Sequence, residues 1–182
     1  GSPITLQIAN KASRGVDEKV TIPRPGHADL AGALKFGTGD LRNIIERSSA
    51  RETASRVAAG AVAKKLLSEF RVSIYSFVSD IGGIKIGITP EKINYNLVEK
   101  SSLRCPDKKT ETLMIKKIKA AQKTGDTLGG VFTVIVRGLP FGLGSFTQWD
   151  KKLDANLARA LISIQAIKGV EFGAGFRMAS LP

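Results

Sequence analysis

Cysteine, histidine and tryptophan each occur once in this 182-residue sequence, as Cys105, His27 and Trp149. A lone cysteine excludes an internal disulfide and a multi-cysteine zinc cluster, and fits a reducing compartment. A lone histidine excludes metal sites that need two, such as HExxH. No stretch approaches the roughly 18 apolar residues that span a bilayer. The opening residues carry neither a basic segment nor a long apolar run, so no secretory leader is expected, and a cytoplasmic location is. Aromatic residues are scarce at 6%, which weakens a single-strand nucleic-acid binder built on stacking. Acidic residues are also in short supply, at 16 against 28 lysines and arginines, which leaves a net charge of +12.

What is present describes a globular chain. Hydrophobic residues make up 42% and charged residues 24%, which is ordinary for a folded domain and argues against disorder. The length suits one full-sized domain and is marginal for two, so a single domain over residues 1–182 is expected. The cationic surplus favours anionic partners: nucleic acid, acidic lipid or phosphorylated small molecules.

Periodicity predicts an α+β chain. Residues 4–8 alternate apolar and polar as a half-buried strand, and residues 10–22 read as a loop. Prolines at 23 and 25 with Gly26 make residues 23–27 a stiff turn. Asp40 is a plausible N-cap for a long helix to about residue 70. A band of alanines from Ala50 to Ala63, with Gly60, suits that helix to a central position. Residues 72–78 read as a strand, Gly82-Gly83 as a turn and residues 84–86 as a short partner strand. Residues 106–123 have helix chemistry with Met114, Ile118 and Ala121 buried, and Gly125 is its stop signal. A second two-sided strand covers residues 131–136. A second long helix covers 150–167, with Leu153, Leu157, Leu161 and Ile164 at helical spacing, and a last strand begins at 170–172. The whole reads as helices packed against antiparallel sheet.

Arg42, Arg47, Arg51 and Arg56 crowd the start of the first long helix. Arg47 and Arg51, four apart, would share a face around Ser48, Ser49 and Ala50, small residues that let a ligand approach the backbone. Arginine's planar fork suits phosphate. The plainer alternative is a solvated face with ion pairs to Glu46 and Glu52. His27 follows the rigid turn and stands between Arg24 and Asp29. There an adjacent anion would hold its proton, which would suit a general acid; the alternative is a structural histidine. Asp29 could equally cap the residues that follow it. Lysines 108, 109, 116, 117, 119 and 123 read as a solvated face. The Gly142/Gly144 and Gly173/Gly175 pairs lack nucleotide-loop spacing. Trp149 and Cys105 read as packing residues, and no metal site is expected.

Taken together, the segment Arg24-Pro25-Gly26-His27-Ala28-Asp29-Leu30, the block Asp40-Leu41-Arg42-Asn43 and the run from Arg47-Ser48-Ser49-Ala50-Arg51-Glu52-Thr53-Ala54 to Ala61 closely resemble the chorismate synthase family. Gly129-Gly130-Val131, Pro140-Phe141-Gly142-Leu143-Gly144 and Ser163-Ile164-Gln165-Ala166-Ile167-Lys168-Gly169-Val170-Glu171-Phe172-Gly173 extend the resemblance, in family order, over nearly the whole chain. The resemblance implies long helices sandwiched between antiparallel sheets and a homotetramer. It also implies anti-1,4-elimination of phosphate from 5-enolpyruvylshikimate 3-phosphate to give chorismate, the last common step of the shikimate pathway, with reduced FMN as cofactor and NADPH associated with the flavin. Carried over by motif, His27 is the acid beside the flavin, and Arg24 and Arg51 bind substrate. Ser49, Ala50, Arg51, Gln165 and Ala166 join His27 around the cofactor.

Family members are considerably longer. An N-terminal block with a second catalytic histidine, the arginine-rich segment after it and C-terminal FMN contacts have no counterpart here, and the loop between Asn10 and Arg24 is short. The chain therefore reads as a truncated core, expected to have little or no activity alone, with a non-catalytic assembly module as the alternative. A nucleic-acid binder would lose DNA affinity steeply with salt. We expect no such complex: in a mobility-shift assay at low salt, duplex DNA should migrate unshifted.

Overall fold

The computed structural model describes residues 1–9 and 19–182. The helices are α1 (Asp29–Phe36), α2 (Arg42–Ser48), α3 (Glu52–Glu69), α4 (Tyr95–Lys100), α5 (Lys108–Thr124) and α6 (Leu153–Ile162); the strands are β1 (Ser73–Ile81), β2 (Ile84–Lys85) and β3 (Gly130–Arg137). The chain divides into two units, one of Gly1–Ala63 with Phe141–Pro182 and one of Lys64–Pro140.

In the first unit, α1 precedes the helix expected from residue 40. It ends at Gly37, which has φ 62°. Gly32 lets α1 lie against α2, since a Cβ there would meet Ile44 Cγ2 at 2.5 Å. Asp40 does cap, accepting the Arg42 N–H at 3.0 Å and the Val20 N–H at 3.2 Å. The helix it starts is not the long one predicted: α2 stops at Ser48, and α3 begins only at Glu52. Serine chemistry explains the break. Ser48 Oγ donates to the Ile45 carbonyl and Ser49 Oγ accepts the Arg51 N–H, local bonds that compete with the helical ladder. The alanine band does not make α3 central either, because none of its residues is buried.

Four further expectations fail for related reasons. Residues 4–8 and 170–172 form no strand among the described residues; alternation supplies a face, and a strand also needs a neighbour to bond with. Helix α6 ends at Ile162, where Ser163 Oγ donates back to the Ala160 carbonyl and Ala166 turns into the left-handed region at φ 67°. Trp149 lies in a short 3-10 turn and is 79% exposed, so it packs no core here. Residues 10–18 of the predicted loop lie outside the described residues, whereas the turn at Pro25-Gly26 is present.

The second unit follows its sequence closely. Gly82 and Gly83 both have positive φ, 59° and 84°, the two-residue turn whose twist suits an antiparallel hairpin. Asp80 Oδ1 accepts the Gly83 N–H at 2.9 Å. β3 pairs antiparallel on the other side of β1, from Ser73 opposite Arg137 to Ile81 opposite Gly130, with a bulge between Val78 and Asp80. The sheet order is β2-β1-β3. Phe77, Ile93 and Val98 form its core, with Ile86, Ile88, Tyr95 and Ile135 packed around them. Met114 and Cys105 are buried as expected. Asp107 caps α5 by accepting from Lys109 and Thr110, and Gly125 closes it. The six lysines of this helix are exposed.

A buried carboxylate anchors the approach to α5. Glu111 is 2% exposed, and its Oε1 accepts from Ser101 Oγ at 2.8 Å and from the Ser102 N–H and Oγ, each at 2.9 Å. Lys108 pairs with Oε2 at 3.2 Å. The Ser101 hydroxyl first, then Ser102 and Lys108, hold the carboxyl down to about 2 against an ordinary 4.5. A depressed folded value stabilises the fold above the unfolded pKa and is lost on acidification. Stability should therefore fall between about pH 4.5 and about pH 2. Glu111→Gln should lower it by about 1–3 kcal/mol at pH 7 and by much less at pH 3, as denaturant titrations at the two pH values would read.

Candidate active site

The turn before α1 is built on one ion pair. Asp29 is fully buried. Its Oδ2 accepts the Arg24 backbone N–H at 3.0 Å and Nε at 2.8 Å, and its Oδ1 accepts Arg24 Nη2 at 2.9 Å. Such a fork fixes the plane of the guanidinium as well as its position. The Arg24 side chain, followed by its backbone N–H, holds the Asp29 carboxyl down to about 2. Asp29 therefore serves Arg24, and it neither caps α1 nor clamps the imidazole. The anion expected beside His27 thus gives its hydrogen bonds to Arg24, and none joins Asp29 to the imidazole among the described residues. Arg24 Nη1, on the outer side of the fork, makes no hydrogen bond among the described residues.

His27 is exposed, with Nδ1 2.9 Å from the Pro25 carbonyl oxygen. A carbonyl only accepts, so Nδ1 carries a proton and Nε2 is the nitrogen left to exchange one. The rigid turn thus presents a single imidazole nitrogen outward.

The break between α2 and α3 presents the second set. Ser49 is extended, with ψ 145°, and Ala50 is exposed. Arg47 and Arg51 do not share a helical face, since the break separates them. Arg51 Nη1 pairs with Glu46 at 2.6 Å and Arg56 Nε with Glu52 at 3.4 Å, the partners that the plainer reading of these arginines names. A groove of about 580 Å³ between α1 and α2 is lined by Ala28, Lys35, Asn43, Arg47 and Ser48 among others. Ala28 follows His27 and Ser48 precedes Ser49, so the two motif segments border one cavity. No side-chain hydrogen bond joins His27 to Arg24 or Arg51 among the described residues.

The third set follows α6. Gln165 Nε2 donates to Glu52 Oε2 at 2.6 Å, and Arg56 Nη1 donates to Ser163 Oγ at 2.9 Å. Residues 52–56 and 163–166 are therefore tied together across more than a hundred positions. Sequence reasoning missed Lys35 in the groove because it placed no helix at α1, for which Leu30 and Leu34 at helical spacing, with Gly37 as a stop, are the signal; Asn43 lay in an expected helix but carried no signal of its own. Asp29 and Glu52 as orienting carboxylates leave no local signal, since their roles depend on where Arg24 and Gln165 end up.

Among the described residues no cluster of histidine, cysteine, aspartate or glutamate could hold a metal ion, and no helix is long and apolar enough to cross a membrane. The described residues thus combine an α+β fold with arginines oriented by carboxylates and one exposed imidazole. The chorismate synthase profile matches residues 1–182. The chorismate synthase of Alkaliphilus metalliredigens is 52% identical over 192 residues, covering 98% of this chain and 50% of the relative. That of Endomicrobium trichonymphae is 53% identical over 195 residues, covering 100% and 51%. A crystal structure of chorismate synthase matches with a TM-score of 0.79 at 46% identity, over 85% of this chain and 49% of that one. The chain belongs to the chorismate synthase family, a family of lyases in aromatic biosynthesis, and spans about half the length of the curated relatives it matches.

If Asp29 exists to orient Arg24, Asp29→Asn should loosen the turn while leaving the sheet unit unaffected. Amide exchange should rise at least tenfold at residues 24–29 and stay unchanged along β1 and β3.

Proposed function

We propose that the chain, as a single core domain over residues 1–182, serves the elimination of phosphate from 5-enolpyruvylshikimate 3-phosphate to give chorismate. In that reaction a proton leaves C6 and its electron pair enters the ring. The double bond shifts, and the C3–O bond breaks to release phosphate, with no net oxidation. The observation that carries the reading is the α1–α2 groove, whose lining includes Ala28, next to His27 in the chain, and Arg47 and Ser48, just before Ser49, Ala50 and Arg51.

Reduced FMN fits the residues present. Substrate and cofactor together bring two phosphates and two carboxylates, which suit Arg24 and Arg51 in a chain of charge +12. Ser49 and Ala50 are small enough for a flat ring to approach the backbone. Gln165 Oε1 is a buried acceptor with no donor among the described residues, which supports a ligand as its partner. When bound, the reduced flavin supplies electron density and a basic nitrogen that assist loss of the phosphate and the proton.

The chain's own residues have narrower tasks. Arg24, held by Asp29, offers its outer nitrogen to a substrate anion, and Arg51 does so from the other segment. His27, fixed through Nδ1, gives or takes a proton at Nε2 and keeps the cofactor in its protonated, reduced form. Gln165 and Ala166 border the cofactor. Cytoplasmic placement, a homotetramer and use of NADPH belong to the same reading, as does the absence of nucleic acid among its partners. Because the chain spans half of its relatives, little turnover is expected from it alone. A second reading, a non-catalytic assembly core, draws on the uncovered apolar side chains of α3 (Val57, Leu66) and β3 (Val131).

Flavin fluorescence separates the two. Titration should show saturable quenching that weakens as salt rises. Arg51→Ala should raise Kd about tenfold, the loss of roughly one charge-assisted hydrogen bond. Native circular dichroism without saturable quenching would favour the assembly core.

A further inference from the structure

The tie between α3 and the turn after α6 has a direction. A carboxylate can only accept hydrogen bonds, so Glu52 Oε2, 2.6 Å from Gln165 Nε2, dictates which end of the amide faces it. Turning the amide over would set a carbonyl oxygen against an anion. The hydrogen bond from Gln165, ahead of the charges of Arg56 and Arg47, keeps Glu52 below its ordinary pKa and hence ionised. The opposite end of the amide, Oε1, is then buried without a donor among the described residues. That is a standing cost in a folded protein unless something else supplies the N–H.

The surrounding turn is held as firmly as the amide. Arg56 Nε donates to the same Glu52 oxygen at 3.4 Å, and Arg56 Nη1 reaches Ser163 Oγ at 2.9 Å. Ala166, the next residue after Gln165, sits at φ 67°, a conformation that non-glycine residues hold only under constraint. Glu52 is the node from which both tethers run.

We infer that Glu52 is a positioning residue for the cofactor: its carboxylate fixes the orientation of the Gln165 amide so that Oε1 is offered as acceptor to an N–H of the reduced isoalloxazine ring. The inference rests on the flavin reading above and adds to it a residue that touches neither flavin nor substrate. Glu52 acts only through Gln165, so removing both residues should cost no more than removing one.

The experiment is a double-mutant cycle read by flavin fluorescence, paired with the side-chain amide signals of the 15N-labelled chain. The Gln165 pair is assigned by its disappearance in Gln165→Ala. Glu52→Ala should move that pair to the position of a free glutamine amide. It should also raise the FMN Kd about tenfold, matching Gln165→Ala, with the double variant no weaker than either. Glu52→Gln, which preserves size and guards against misfolding, should shift both readouts in the same direction. A Gln165 signal unmoved by Glu52→Gln, or single losses that multiply to about a hundredfold, would overturn the role given to Glu52 alone. No saturable quenching by the unmodified chain would instead overturn the flavin reading on which it stands.

Discussion

Carboxylates decide where the arginines point. Asp29 holds Arg24 through three hydrogen bonds, Glu46 pairs with Arg51, and Glu52 takes both Arg56 and Gln165. A free arginine side chain samples many rotamers, and ordering it against a ligand costs entropy. A carboxylate behind the guanidinium meets that cost on folding and leaves the outer nitrogens in place. The same pairing removes local charge, so these sites gain in geometry what they give up in field. The field comes from elsewhere, chiefly the exposed lysines of α5 and the surplus that makes the whole chain +12.

This division is what the proposed function asks for, in which two anionic molecules are bound and protons move between fixed atoms. The lone histidine illustrates it: the Pro25 carbonyl takes one ring nitrogen, Nδ1. Membership of the chorismate synthase family, shown along the full chain, gives this arrangement its context. Glu52 extends the same principle to a neutral side chain, since an acceptor-only group can orient an amide as firmly as a cation.

The two units differ in how well they could be read from sequence. Residues 72–137 carry their instructions locally: β-branched runs, a glycine pair for the hairpin, Asp107 and Gly125 at the ends of α5. Met114 at helical spacing marks the buried face. In the first unit the local signals conflict. Ser48 and Ser49 interrupt a helix that composition favours, α1 lies in a stretch to which no element was assigned, and Trp149 stands in solvent. The segments 4–8 and 170–172 have the alternation of strands without a neighbour among the described residues.

Of the candidate site, His27, Arg24, Arg51, Ser49, Ala50, Gln165 and Ala166 were legible from their motifs, because residue type and order are written directly in the chain. Sequence also determined the cationic balance, the lone cysteine and the antiparallel hairpin, all of which depend on composition or on neighbours a few positions apart. Tertiary structure alone decided that Asp29 belongs to Arg24 rather than to the imidazole, that Arg47 and Arg51 part company at a helix break, and that Glu52 meets Gln165. Those outcomes turn on how the backbone folds back over tens of residues, which no local pattern specifies.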